Sequence, residues 1–393
     1  MPCFACAQVM RLPLLTVIAL VISDVVAASG TLPIAKPASD GARIVAIGDL
    51  HGDYDNCIEI LRLAQVIDDE HRWACGSDTV IQMGDVVDRG PHGHSIMDFL
   101  SRLQQDAAAA GGEFIQLLGN HELMDWQGDT KFVNPQHVAA FGSMNEWRRE
   151  WMKGSGRYGK RILELPVSVV RNSTLFIHGG LPPHQAEHGI EALNDEMHTA
   201  MASRNFAHAL LGSEGPLWTR SQLRAAQRGD CRLVLTALDG LSRHEMAMGR
   251  PPVHRMVVGH TIQPNGAIQS FCNGALWAID ICVSQYMQGC GHLGYLEIRK
   301  LPVNGTYSQM TARETVAIPR YPPIANRRHR ERPVARVTQT TVTRIQREAE
   351  RVTQYGQLPV LIVVALSVAL WRLRYNYRHH RLTAFQKKVD EPV

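Results

Sequence analysis

Short apolar runs that stop at a polar residue alternate along this chain with longer stretches of helical spacing. Arg43–Ile47 predicts a strand, Tyr54–Val66 a helix carried by Ile58, Leu61 and Leu63, Thr79–Met83 a second strand, His94–Ala110 a second helix and Phe114–Leu118 a third strand. Residues 136–153, rich in Trp, Met and Arg, predict one further helix. Thr174–Ile177, Leu233–Ala237, Arg255–Val258, Ala275–Ile281 and Gly294–Ile298 predict later strands. This alternation points to an α/β fold class. In open α/β sheets ligands collect beyond the carboxyl ends of the strands. Five of the runs present Asp, Asn or His there, mostly beside glycine.

The two ends of the chain read differently. Leu12–Ile22 follows Arg11 and precedes Ala27, Ala28 and Ser29, which predicts a signal peptide or N-terminal anchor over residues 1–28, cut after Ala28. Leu358–Trp371 carries no charge. Extended back to Val352 it reaches the length needed to cross hydrocarbon, so residues 352–371 predict a transmembrane helix and 372–393 a basic tail. An amphipathic or packed helix is the alternative. Arg372, Arg374, Arg378 and Arg381 would stay cytosolic, which places the body in the lumen or outside the cell as a single-pass protein of the secretory pathway. Pro319, Pro322 and Pro323, with the arginines that follow, predict a basic linker over 303–351 and leave one main domain over 40–302.

Charge sharpens this division. The formal net charge is +4, with +6 in residues 320–351 and +4 in 372–393, which leaves about −6 for the rest. An acidic body suits a cluster of cation-binding carboxylates. The basic segment lacks interleaved aromatics, so it reads as a solvated tether and no nucleic-acid partner is expected. Cys3 and Cys6 would leave with the signal. Cys57, Cys75, Cys231, Cys272, Cys282 and Cys290 permit disulfides without identifying pairs, and buried thiols are the equal alternative. Asn172 and Asn304 each begin an acceptor triplet for N-glycosylation, which suits a lumenal body.

Five segments carry candidate chemistry: Gly48-Asp-Leu-His-Gly-Asp53, Gly84-Asp-Val-Val-Asp-Arg-Gly90, Gly119-Asn-His-Glu122, His178-Gly-Gly180 and Gly259-His-Thr261. Oxygen and imidazole donors without thiolates suit two divalent or trivalent metal ions, Mn, Fe or Zn. The expected first site is Asp49, His51 and Asp85. The second is Asp85, Asn120, His178 and His260, with Asp85 as the bridge. Two ions about 3.5–4 Å apart can share a hydroxide that is nucleophilic near neutral pH, and can offset phosphate charge. Arg89 offers phosphate oxygens a planar fork of donors, with Asn120 and His121 also facing the phosphate. His121, oriented by Asp88, is the expected general acid for the leaving group. Taken singly, these pieces read as an ordinary turn, a helix cap or a packed histidine. Five in order, each after a strand-like run, point to phosphoester hydrolysis. His92, His94, His184 and His292 are expected at the surface or behind the site.

These segments resemble the signature of the calcineurin-like metallophosphoesterases, and Gly84–Gly90 with Gly119–Glu122 resembles the phosphoprotein phosphatase family. Gly119–Met124 running into Gln127–Asp129, Phe176–Leu181, Gly215–Arg220, Val258–Thr261, and Ile279-Asp280 with Ser284 are similar to the Shewanella-like protein phosphatases. The resemblance covers residues 43–300. It implies a β-sandwich of two mixed sheets flanked by helices, a dinuclear metal site at the strand C-terminal edge, and a protein Ser/Thr phosphatase with a phosphoprotein substrate. It implies the same six ligands and the same roles for Asp88, Arg89 and His121. Arg220, in Leu217-Trp-Thr-Arg220, is a candidate second phosphate-binding arginine, with a surface ion pair as the alternative. Two departures stand out. Ala278–Ser284 replaces the Ser-Ala-Pro-Asn-Tyr stretch of the familiar Ser/Thr phosphatases, which implies weak response to toxins that contact that loop. Cys282-Val283 stands where the Shewanella-like pattern has Gly-Met. The competing readings are a hydrolase of dinucleoside polyphosphates or nucleotides, whose pattern tends to Gly-Asn-His-Asp and His-Ala-Gly where Glu122 and Gly179 stand here, and a non-catalytic membrane-tethered binding module.

Overall fold

The computed structural model describes residues 43–300, apart from positions 155 and 264, together with 315–322. Ile44–Ile47 (β1) is buried at all four positions, as a central strand covered on both faces must be. It pairs in parallel with Thr79–Gln82 (β2), in register Ile44 to Thr79, and β2 pairs in parallel with Glu113–Gln116 (β3). The crossovers are Tyr54–Leu63 (α1) and Gly93–Ala109 (α2). Asp53 caps α1 by accepting the Asn56 N–H, and Ile96, Met97, Leu100 and Leu103 give α2 one buried face. On the other side of β1 lie Tyr295–Lys300 (β9) and then Thr315–Arg320 (β10), both antiparallel.

The second sheet has the order β4-β5-β6-β8-β7. Its strands are Ser168–Arg171 (β4), Thr174–Ile177 (β5), Arg255–Val258 (β6), Gln269–Phe271 (β7) and Leu276–Ala278 (β8). β5, β6 and β8 run parallel, with antiparallel edges. Both sheets feed one hydrophobic core that includes Ile47, Ile81, Met83, Phe176 and Val257. The remaining helices are Asn120–Gln127 (α3), Pro135–Ala139 (α4), Met144–Trp151 (α5), Arg157–Glu164 (α6), Pro183–Ala186 (α7), Gly189–Ala202 (α8), Ser221–Gln227 (α9) and Arg232–Ala247 (α10). Two mixed sheets flanked by helices is the expected architecture.

Several expectations change. Leu233–Ala237 is not a strand but the start of α10, in which Val234, Ala237, Leu238 and Leu241 are buried while Leu235 is 51% exposed. That is helical spacing, visible only when the window runs past the dense apolar run. The single helix expected over 136–153 breaks into α4 and α5, because Gly142 takes a φ of 86° and Ser143 caps α5 by accepting the Glu146 N–H. The sheet does not close near residue 302, since β10 falls within the expected linker. Pro319 sits in this edge strand, where a missing N–H faces no partner. The structure pairs Cys231 with Cys272 and Cys282 with Cys290, and leaves Cys57 and Cys75 as buried thiols. The expected signal segment, the membrane span, the basic tail and Asn304 lie outside the described residues. Among the described residues, no helix is long and apolar enough to cross a membrane.

Candidate active site

The turns after β1, β2, β3, β5 and β6 converge. Close approach of backbone explains the glycines there. A Cβ on Gly84 would lie 2.7 Å from the Gly119 Cα, and one on Gly119 would meet the Asp85 amide nitrogen. Glu122, fully buried, locks two of these turns together. Its carboxylate accepts N–H bonds from Asp85 (2.8 Å), Val86 (2.7 Å), Val87 (3.2 Å) and Gly119 (2.9 Å). His51, Asp85, Asp88, Arg89 and His260 all hold left-handed backbone, with φ between 43° and 68°. Such conformations cost about 1–3 kcal/mol each and gather where function demands them.

Asp85 sits at the centre. Its Oδ1 accepts the His121 amide N–H at 2.9 Å. Its Oδ2 lies 3.3 Å from His178 Nε2, 3.8 Å from His51 Nε2 and 4.0 Å from His121 Nε2. Two triads whose donor atoms cluster share it: His51, Asp85 and His121, and Asp85, His178 and His260. A third group, Glu191, His244 and Glu245, is already occupied by Arg250, which pairs with both glutamates.

The imidazoles are oriented as ligands. His51 Nδ1 donates to the Val87 carbonyl (3.1 Å), His178 Nδ1 to the Met83 carbonyl (2.7 Å) and His260 Nε2 to the Trp218 carbonyl (2.9 Å). Each therefore turns its other nitrogen, a lone pair, toward the cluster. His178 Nε2 faces Asn120 Oδ1 at 3.0 Å as well as Asp85. A cation between these atoms would satisfy them together, and Asp85 outweighs burial to raise the His178 pKa, so a proton on the ring can meet them as well. Burial moves His51 down to about 4, and burial with His178 moves His260 down to about 3, so both are neutral and able to ligate. Burial also pushes the Asp49 carboxyl well up, with Asp280 and Asp85 adding like charge. Burial, opposed by the Cys282 N–H, moves Asp280 up to about 6. This excess of negative charge suits metal ions, and the donor set fits a dinuclear centre.

Each residue singled out in the sequence is at or beside this cluster, with one rearrangement. Asp49 does not join either triad. Its carboxylate accepts the His260 amide N–H at 3.1 and 3.3 Å, beside the cluster, and His121 lies with His51 and Asp85 in the first triad. His121 Nδ1 donates to Asp88 Oδ2 at 2.6 Å. Burial works against its charge, yet Asp85 and Asp88 prevail and hold its pKa above the ordinary value. Arg89 lies over the Phe132 ring, 3.7 Å from the centroid, and lines a cavity of about 450 Å³ with Ile262, Gln263, Tyr286, Met287 and the Cys282–Cys290 disulfide. Arg220 is half-buried and donates to the His260 carbonyl at 3.5 Å; burial and Arg224 move its pKa down, against the attraction of Asp85, Asp49 and Asp280. Cys282 adopts a φ of 62°, a left-handed conformation that glycine takes without strain. Ser284 donates to the His51 carbonyl at 3.0 Å.

The sequence reading did not assign Glu122, Phe132, Trp218 or Asp125. Glu122 has a signal of its own, since it stands three residues after Gly119 at a helix start and reaches back to accept the Gly119 N–H. The other three act through contacts that no local pattern announces.

Comparison with known proteins agrees with this geometry. A family model described as calcineurin-like phosphoesterase matches residues 42–264. The chain is 32% identical over 308 residues to Shewanella-like protein phosphatase 2 of Arabidopsis thaliana, covering 66% of this chain and 75% of that one. It is 30% identical over 270 residues to Shewanella-like protein phosphatase 1 of Plasmodium berghei, covering 65% and 71%. A crystal structure of a cold-active protein-tyrosine phosphatase from a psychrophilic Shewanella shares the fold, with a TM-score of 0.55, 24% identity, and coverage of 66% of this chain and 78% of that one.

Proposed function

Because this chain belongs to the calcineurin-like phosphoesterase family, and within it to the Shewanella-like protein phosphatases, we propose that it removes phosphate from phosphoproteins, chiefly from phosphoserine and phosphothreonine. It is a hydrolase of phosphoric esters. The observation that carries the reading is one buried cluster in which an Asp85 oxygen is faced by His51, His178 and His121, the last held by Asp88.

We assign Asp49, His51, Asp85, Asn120, His178 and His260 to two metal ions, with Asp85 shared. When bound, the ions supply positive charge to phosphate oxygens and acidify a water for attack. Arg89, braced on Phe132, and Arg220 take the outer phosphate oxygens. Asn120 faces the same oxygens through its amide. His121 holds its proton on the side of Asp85 and delivers it from Nε2 to the departing alkoxide. Asp88 fixes the ring by accepting from Nδ1 and stabilises the charged form until transfer.

The cavity beside Arg89 supports a second reading. Ile262 is 43% exposed and Tyr286 40% exposed, so an aryl ring could lie against this wall. That favours phosphotyrosine as an additional substrate. The test is parallel turnover of matched phosphoserine, phosphothreonine and phosphotyrosine peptides against diadenosine tetraphosphate by Mn-, Fe- or Zn-loaded protein. Phosphopeptides are expected to be hydrolysed at least about tenfold faster. Preference for the dinucleotide would overturn the protein phosphatase reading, and no turnover of any ester would leave only a binding module.

A further inference from the structure

Asp125 belongs to α3, four residues after His121, so the two side chains share a face of the helix. Asp125 is fully buried, and neither of its carboxyl oxygens has a hydrogen-bond donor. Asp88 is fully buried as well. Its Oδ2 accepts from His121 Nδ1 at 2.6 Å, while its Oδ1 also lacks a donor. The two carboxyl groups lie within hydrogen-bonding reach of each other. Three buried acceptor oxygens that meet no protein donor among the described residues are costly if both groups are ionised, because each would keep its desolvation penalty and their charges would repel.

One proton resolves the contact, and the surroundings decide which group carries it. Burial, with Asp85, moves the Asp88 carboxyl up, but the His121 imidazole on one oxygen and the Arg89 guanidinium nearby favour its ionised form, and Asp125 has no such cation among its neighbours. Asp125 is surrounded by acids: Asp88, Glu122 and, farther off, Asp129. His121, for its part, is flanked by Asp85, Asp88 and Glu122, with the His51 ring 4.7 Å away.

We infer that Asp125 is a neutral carboxylic acid whose O–H donates to Asp88 Oδ1, making Asp125–Asp88–His121 a three-membered chain in which Asp125 is a positioning residue. The inference rests on the reading of His121 as the general acid, and it adds what holds Asp88 in place. With both Asp88 oxygens engaged, its plane is fixed and so is the His121 ring. The second Asp125 oxygen becomes a neutral carbonyl, which is far less costly to bury than half a carboxylate. Burial, with Asp88 and Glu122 beside it, pushes the Asp125 carboxyl well above its ordinary value, in the direction this arrangement needs. A carboxylic acid kept neutral at pH 7 so that it can donate a hydrogen bond is a known device of enzyme sites.

The test is spectroscopic and kinetic, on the full chain. Infrared difference spectra at neutral pH should show a protonated-carboxyl C=O band in the native protein that shifts in D₂O and vanishes in Asp125→Asn. This readout needs no turnover. Asp125→Ala should lose about tenfold in kcat with KM little changed, and lose more on alkyl than on nitrophenyl phosphates. Asp125→Asn, which keeps a donor and no charge, should recover most of that loss. Absence of the band, or an asparagine variant as impaired as the alanine one, would overturn the inference. So would an alanine variant with unchanged kcat. If the native protein hydrolysed no phosphoester while the band persisted, the enzymatic reading would fall and the protonated contact would stand.

Discussion

Asp85 serves every part of the site at once, through one oxygen to the imidazoles and the other to the His121 amide. Asp85→Asn is therefore expected to lose bound metal and to lower turnover by about a thousandfold, checked by elemental analysis beside phosphatase assay. His121→Asn should keep its metal. It should slow alkyl phosphates far more than nitrophenyl phosphate, whose leaving group needs no proton, and equal losses on both would remove His121 from the acid role. Glu122→Gln tests the clamp between turns. An amide NH₂ pointed at the Asp85 or Gly119 N–H leaves buried donors unmet, so unfolding free energy should fall by about 3 kcal/mol in urea titration. At this scale the six ligand candidates were legible because metal chemistry demands particular side chains at strand ends. Glu122 and Asp125 were not assigned. Glu122 left only its place three residues after Gly119 at a helix start, and Asp125, which meets a second carboxyl, left no spacing in the chain.

Among the elements, α4 carries a group with a clear pH signature. His137 is fully buried, stacked on His94 with centroids 5.2 Å apart and edge-on to Trp151 at 5.0 Å, and neither ring nitrogen has a partner. Burial, with His94 and His92 adding to it, moves it down to about 3. Above the unfolded value of 6.5 both states are neutral and the packing is fully available. As pH falls below that value the unfolded chain takes up a proton that the folded chain refuses. Stability then declines by about 1.4 kcal/mol per pH unit until the folded pKa is reached. In urea titrations between pH 7 and 5, His137→Phe should reduce the slope by about 1.4 kcal/mol per pH unit, the rest belonging to His51 and His260, which burial also moves down. Element types were read best where strands are wholly buried, as in β1 and β5. They failed where apolar density masked helical spacing, as at Leu233–Ala237, and where strands are partly exposed edges, as in β4, β7 and β10. The Asn172-Ser173 turn between β4 and β5 has another explanation beside glycosylation. Both residues have positive φ, 46° and 55°, as a two-residue hairpin of this hand requires.

Taken whole, the catalytic body includes a segment that composition assigned to a tether. β10 covers the edge of β9, Arg320 pairs with Glu297 at 2.8 Å, and Arg255 of the second sheet donates to the Thr315 carbonyl at 3.0 Å. A chain ending at residue 302 should melt about 5 °C or more below one ending at 325, by differential scanning calorimetry. Equal melting would show β10 to be dispensable. The edge strand escaped sequence reading because its prolines and arginines look like linker chemistry, whereas at a sheet margin they are tolerated. The left-handed backbone at His51, Asp85, Asp88, Arg89 and His260 also bears on how this enzyme should be dissected. Alanine there would delete a functional group and also leave a residue that prefers the opposite helical hand, so scanning by alanine will exaggerate the chemistry of these positions. Glycine, which accepts either hand, is the matched control, and the gap between the two replacements measures how much of each defect is conformational.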